Sequence, residues 1–444
     1  MYALLIFIAA SGCRHSSGGS GLGAPPTGGG PGPSGAGSGA SAPAPAPVPA
    51  PAPAATPSDD PDDWVVDTTR DYDPVVSPPI WVAPSAALPA AARCDASNNN
   101  CAIAFHDGRL FLAWRTNETH FASANARLLV VSSTDLGRTF EMEHEVAIGA
   151  DVREPSLLSL GGRLILHYFE AGTNPVAFEP KHVWQSERLG PGRFSRAVTV
   201  LQAGEVPWDL KVRGGRAWMT SYRGGHYNLS GPADVDVLFQ VSADGLAWAP
   251  VPGTGPGGRV YRGGVSEVGF EFDPAGGLVA VTRLEDGDTT GFGAHVATAA
   301  AGSLGSWSFP ARADRERYDS PRLFRHGDDL YLVARRDVGG PYDRGLTYLP
   351  FDLQRIYNLG AYSLRLKRTT LYRVEPATRR VIPLVDLPGC GDTAFPAVAR
   401  LSANEFLVAN YTSPLGGYDP SWIEGQIAAA GTQIYLTTIT FVPR

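Results

Sequence analysis

The chain is poor in the residues that staple, ligate or span. It holds four cysteines and three methionines in 444 residues, and only 18% of it is charged. Its nine histidines are scattered and form no compact His/Asp ligand cluster, so neither a metal nor another cofactor is expected. A net charge of −7, spread along the chain, argues against nucleic acid as a partner. The apolar run near the N-terminus, Ala3 to Ala10, falls well short of the roughly 20 residues that cross a bilayer. No long amphipathic helix stands out, which leaves strands to build the fold.

What is present begins with that short apolar run. It suits the core of an export signal ending in small residues. Ala10-Ser11-Gly12-Cys13 resembles a bacterial lipobox, although no Lys or Arg precedes the run. The resemblance implies lipidation at Cys13, export, and anchoring to the bacterial cell envelope at the outer membrane, with the lipid as the sole membrane contact. Residues 14–61 are rich in Gly, Ser, Pro and Ala and lack side chains to bury, which predicts a disordered linker. Its Pro-Ala run favours an extended spacer of about 3.1 Å per residue. Residues 62–444 then form one all-β domain, expected to be monomeric. Export permits a disulfide; Cys94–Cys101 is the local candidate and Cys94–Cys390 the long-range one.

Within that domain one pattern recurs. REPSLLSLGGRLILHYFE, from Arg153 to Glu170, is two apolar runs around a Gly-Gly turn. Related hairpins turn near Gly108, Gly215, Gly277, Gly327 and Ser402. Six copies spaced by roughly 50–75 residues point to a propeller or solenoid, because no single hairpin buries enough apolar surface alone. Two weaker strands follow each hairpin, as at Arg127–Ser132 and Thr139–Val146. Four strands in each of six repeats predict a six-bladed β-propeller, with Pro79–Pro84 lending the strand that closes the ring.

Ser133-Thr134-Asp135-Leu136-Gly137-Arg138-Thr139-Phe140 fits S-x-D-x-G-x-T-W/F, the Asp-box of sialidases and other BNR-repeat propellers. Asp135 is placed to accept backbone N–H groups across the turn, Gly137 to take a positive φ, and Phe140 to anchor the next strand. Ser242-Ala243-Asp244-Gly245 with Trp248 is a weaker copy. EVPWDLKVRGGRAWMTSY, SEVGFEFDPAGGLVAVTR and LPGCGDTAFPAVARL follow in the order of their counterparts in sialidase-like proteins. From Cys101 to Tyr411 the chain thus resembles the sialidase-like propeller superfamily.

Aligned on their turns, the copies bring one column of residues to the mouth of the central channel. It contains Asn99, Asn100, Arg153, Glu154, Trp208, Asp209, Glu267, Asp319 to Arg322 and Asp392 to Phe395. The ends of the second strands add Arg115, Tyr222, Arg283, Arg335 and Tyr411. The resemblance implies an arginine triad for a substrate carboxylate, a proton donor, and a tyrosine activated by a glutamate. Glu267 with Arg283 matches the family's glutamate and second arginine. Arg322 or Arg335 serves as a further arginine, and His120 or Glu118 stands near the acid's position. The first triad arginine is replaced at Asn99 and Asn100, and the tyrosine by Phe395.

The substrate-binding candidates are therefore Arg115, His120, Arg153, Trp208, Tyr222, Arg283, Arg322 and Asp392, and the catalytic candidates Glu154, Asp209, Glu267 and Tyr411. Two functions fit them. One is a glycoside hydrolase of sialidase-like type with altered chemistry, run by two carboxylates. The other is a non-catalytic propeller that binds a glycan, an acidic sugar or a protein through the same funnel.

Overall fold

The structure is a computed structural model that describes residues 57–227 and 230–444. The lipobox and Cys13 lie outside the described residues. The six hairpins form where the repeat puts them, each supplying the inner two strands of a blade. Blade 1 pairs Ser97–His106 with Arg109–Asn117, and blade 2 pairs Asp151–Leu160 with Arg163–Ala171. Blade 3 pairs Val206–Arg213 with Arg216–Gly225, and blade 4 Val268–Phe272 with Leu278–Thr282. Blade 5 pairs Asp319–His326 with Asp329–Asp337, and blade 6 Ala397–Arg400 with Glu405–Thr412. The turn before Arg109 needs a positive φ at both Asp107 (47°) and Gly108 (70°), the geometry that matches strand twist.

Arg127–Ser133 and Glu141–Val146 complete blade 1 as expected. Blade 4 departs from four strands. Its sheet has three, and Leu284–Asp288 with Gly291–Gly293 forms a separate hairpin. The chain leaves the blade after Thr282, which carries Arg283 and Glu285 to the channel mouth.

Ring closure uses more of the N-terminus than expected. Both Tyr72–Val76 and Ile80–Ala83 pair antiparallel with Gln433–Pro443, so the last strand is held by segments from the start of the domain. Apolar side chains from facing sheets fill the wedges between blades. Phe324, Tyr331 and Leu371 of blade 5 meet Phe406, Ile439 and Phe441 of blade 6. Burial of each such side chain stabilises by about 1.5–3 kcal/mol, which no lone hairpin supplies.

Three expectations are corrected. A 13-residue helix, α1 (Phe351–Ser363), lies in the segment after blade 5's second strand. It buries Arg355, Asn358, Leu359, Tyr362 and Ser363, a helical face whose polar members hide it from a hydropathy pattern. Arg355 binds the Asp286 and Gly231 carbonyls, at 2.8 and 2.9 Å. Neither disulfide forms: Cys94, Cys101 and Cys390 are free, Cys101 in the apolar core and Cys390 turned to the Ser413 and Pro414 carbonyls. The linker boundary also moves. Ser58, Asp59 and Asp60 belong to the domain, beneath a central channel of about 690 Å³. There Asp60 accepts from the Gly214 N–H at 2.7 Å, Asp59 from the Arg400 N–H at 2.8 Å, and Asp62 pairs with Arg325.

The Asp-box is a turn device. Asp135 Oδ1 accepts from the Arg138 and Thr139 N–H groups at 3.0 and 2.9 Å, and Oδ2 from the Thr139 hydroxyl at 2.7 Å. These bonds, led by that of the Thr139 hydroxyl, hold the carboxyl down at about 2. Leu136 as well as Gly137 takes a positive φ, and Phe140 is buried in the core. Asp244 repeats the pattern on Leu246 and Ala247.

Candidate functional site

The mouth is built on a left-handed residue repeated in four blades, which in three of them forms a bulge. Where the inner strand begins, Asn100, Glu154, Ser320 and Ala394 take positive φ values of 54°, 51°, 52° and 68°. The ladder skips there, between Asn99 and Ala102, Arg153 and Ser156, and Asp319 and Arg322. Left-handed backbone at a non-glycine residue costs about 1–2 kcal/mol, and its recurrence at one level of the ring marks a shared demand on side-chain direction.

On the side of blades 1, 2 and 6, Asp151 takes two arginines. Arg115 meets it at 2.8 Å with both groups fully buried, and Arg153 binds its other oxygen. The same arginines fix the loop after blade 1's second strand: Arg115 donates to the Phe121 carbonyl and Arg153 to that of His120, both at 2.9 Å. His120 is thereby held against Asp392, Nδ1 to Oδ2 at 2.7 Å. Burial lowers the imidazole below its ordinary value although Asp392 opposes it, so His120 is neutral at pH 7. Asp392 Oδ1 accepts from the Tyr411 hydroxyl at 2.9 Å and from Trp422 Nε1 at 3.2 Å. Burial raises the Asp392 carboxyl, but His120, Arg335 and Tyr411 together hold it below the usual range.

Blades 3, 4 and 5 carry an alternating chain of charges. Arg283 bridges Glu267 at 2.6 Å and Glu285 at 2.7 Å. Arg317 joins Glu285 at 2.6 Å to Asp319, and Arg335 reaches Asp319 at 3.0 Å. The Tyr362 hydroxyl of α1 donates to Asp319 at 2.5 Å, and Arg317 lies over the Tyr362 ring at 4.0 Å. His226 stands between Asp286 and Glu285, at 2.7 and 2.9 Å; although burial opposes its charge, these carboxylates raise it to about 9.

Two carboxyls stand apart. Glu154 Oε2 is buried without a hydrogen-bond partner, and burial together with the Glu267 charge pushes the group up to about 8. Glu267 accepts from the Ser320 N–H at 2.7 Å and pairs with Arg283, yet burial still raises it to about 7. Tyr222 is buried beside them. Burial, and then the Glu154 charge, put its phenol well above the ordinary value, so it remains protonated.

The residues of the column meet different partners. Asp209 is directed into the channel, where Arg322 (2.8 Å), Lys211 (3.3 Å) and the Phe270 N–H (3.0 Å) take its oxygens. Trp208 packs edge-to-face on Phe395 at 5.0 Å, with Arg322 over both rings. Tyr411 belongs to Asp392 rather than Glu267. The arginines expected to wait for a substrate carboxylate are already paired within the protein. Sequence reasoning missed Asp151, Glu285, Arg317, His226, Tyr362 and Trp422. A signal existed for three of them: Asp151/Arg153, Arg283/Glu285 and Arg317/Asp319 are opposite charges two residues apart, hence on one side of an extended chain. Among the described residues, no group of three or more His, Cys, Asp and Glu is placed to hold a metal ion.

No protein-family model and no curated protein matches the chain. Solved structures do. A Dyadobacter fermentans protein of unknown function aligns at 16% identity and a TM-score of 0.50, over 78% of this chain and 95% of its own. The Trypanosoma rangeli sialidase aligns at 12% and 0.53, over 82% of this chain and 59% of the sialidase. A mutant α-L-arabinofuranosidase from Fusarium graminearum, in complex with an iminosugar inhibitor, aligns at 10% and 0.51, over 84% and 96%. At such identities the likeness is one of fold: the chain is a six-bladed β-propeller.

Proposed function

We propose that the protein is a carbohydrate-processing propeller that holds a glycan in the funnel and hydrolyses a glycosidic bond between Glu154 and Glu267. One observation carries this reading: two carboxyls at the mouth, on blades 2 and 4, whose surroundings differ. Glu267 is met by the Arg283 guanidinium and the Ser320 N–H, which favour its charged form; Glu154 keeps an open, buried oxygen. Such a pair divides acid and base work. Glu154, protonated at neutral pH, donates to the leaving oxygen. Glu267 acts on the anomeric carbon or on the water that attacks it. The neutral His120 and Asp392 line the opposite side and position the ligand.

A second reading, a glycan-binding propeller without catalysis, is favoured by Phe395, which has no hydroxyl, and by the bond that commits Tyr411 to Asp392. A panel of 4-methylumbelliferyl glycosides separates the two. Hydrolysis is expected with the wild-type protein, falling by about 10²–10⁴ in Glu154→Gln, the range for loss of one acid–base group. Sugar binding without turnover of any glycoside in the panel establishes the second reading.

A further inference from the structure

We infer that the funnel takes a neutral sugar, recognised through its hydroxyl donors by an arc across blades 1 to 3, and rejects sialic and uronic acids; this rests on the reading of the funnel as a glycan site. The first ground is the pairing of the arginines. Arg115, Arg153, Arg283, Arg317, Arg322 and Arg335 each end on a protein carboxylate. A ligand carboxylate would have to displace one of these partners, leaving a buried aspartate or glutamate without its cation. It would also enter beside Glu267, whose charged form Arg283 and the Ser320 N–H favour, a like-charge encounter that a water-poor site makes worse.

The second ground is independent of charge. Along this arc two buried acceptors have no partner, Asn99 Oδ1 and Asn100 Oδ1, beside one unpartnered donor, Trp208 Nε1, and the carboxyl oxygen Glu154 Oε2. They stand at the start of the inner strands of three consecutive blades. Asn99 is fully buried, Asn100 is 6% exposed and Trp208 2%. The Asn99 amide nitrogen donates to Ser97 Oγ at 3.0 Å, which fixes its oxygen as the open atom. The strained backbone at Asn100 and Glu154 places two of these residues at the same level of the ring. Buried acceptors call for donors, and each sugar hydroxyl brings one. An ionised carboxylate brings none.

The test uses the full chain. Calorimetric binding and 4-methylumbelliferone release are measured with neutral pentosides and hexosides, a sialoside and a glucuronide. At least one neutral glycoside is expected to be preferred by about 100-fold or more, because a site with built-in polar partners discriminates strongly against a ligand that leaves them unpaired. Asn99→Ala and Trp208→Phe should each weaken neutral-sugar binding by about 10-fold, the effect of one hydrogen bond. Circular dichroism and melting temperature show whether each variant is folded. Should either fail to fold, the wild-type ranking of neutral against acidic sugars still decides. Preference for the sialoside or the glucuronide overturns the inference while leaving a glycan site standing. Binding of none of these sugars overturns the glycan reading, and the inference with it.

Discussion

Replacing Glu154 by glutamine should leave the protein more stable than wild type, increasingly so between pH 4.5 and about 8. Burial and the Glu267 charge hold this carboxyl at about 8, against an ordinary 4.5, so the folded chain keeps a proton that the unfolded chain releases. The associated stability is fully present below pH 4.5 and is lost as pH rises to about 8, at up to about 1.4 kcal/mol per pH unit. Over the whole window the upper limit is about 5 kcal/mol, and solvent reaching the half-buried side chain reduces it to about 2–3 kcal/mol. Glutamine keeps the shape and never ionises. The stability difference between variant and wild type should therefore be flat below pH 4.5, climb across the window and level off above it. Glu267 titrates in both proteins and largely cancels. Urea unfolding of both at pH 4.5, 6, 7, 8 and 9 measures the difference. A difference independent of pH would falsify the reasoning, because Glu154 would then be ionised throughout and could not be the proton donor.

Four further outcomes are expected. Arg283→Met strips Glu267 and Glu285 of a shared cation and should destabilise by about 3–5 kcal/mol in thermal melts; an unchanged midpoint would show the cluster to be solvated. Tyr411→Phe removes one bond to buried Asp392, at about 1–2 kcal/mol, and should keep turnover within about 10-fold; a collapse of turnover would identify Tyr411 as the nucleophile. The double variant Asp59→Asn/Asp60→Asn should speed hydrogen exchange across residues 58–64 while leaving sugar binding unchanged, and unaltered exchange would mean that the carboxylates do not hold the channel floor. Thiol labelling in denaturant without reductant should modify Cys94, Cys101 and Cys390; protection of any two would reveal a bridge.

The parts of this fold that follow from hydrophobic periodicity were legible in the sequence. Six hairpins, their turns, the closing strand and the Asp-box were each encoded in a short local stretch of sequence. The column at the mouth followed from aligning the turns, which is how Glu154, Glu267, Arg283 and Asp392 could be put at one level of the ring. Partnership was not legible. Nothing near Arg115 announces Asp151, 36 residues on, and nothing near Tyr411 announces that its hydroxyl faces Asp392 instead of Glu267. The helix α1 escaped because Arg355 and Asn358 occupy its buried face. The bulges that aim Asn100 and Glu154 are backbone events at ordinary residues, with no glycine to advertise them. Most consequentially, the arginines looked free because sequence counts charges without showing which already balance.

The acidic segment beneath the channel also fixes where the propeller can be held. Residues 58–63 dock at the hairpin-turn end of the inner strands, next to Gly214, whereas Glu154 and Asp392 sit at the opposite end. An inner strand of eight to ten residues, such as Val206–Arg213 or Asp151–Leu160, separates the two faces by about 25–30 Å. Whatever precedes residue 57 is joined to the face turned away from the mouth. Whatever holds the protein through residue 57 meets that face, about one inner strand's length from Glu154 and Asp392.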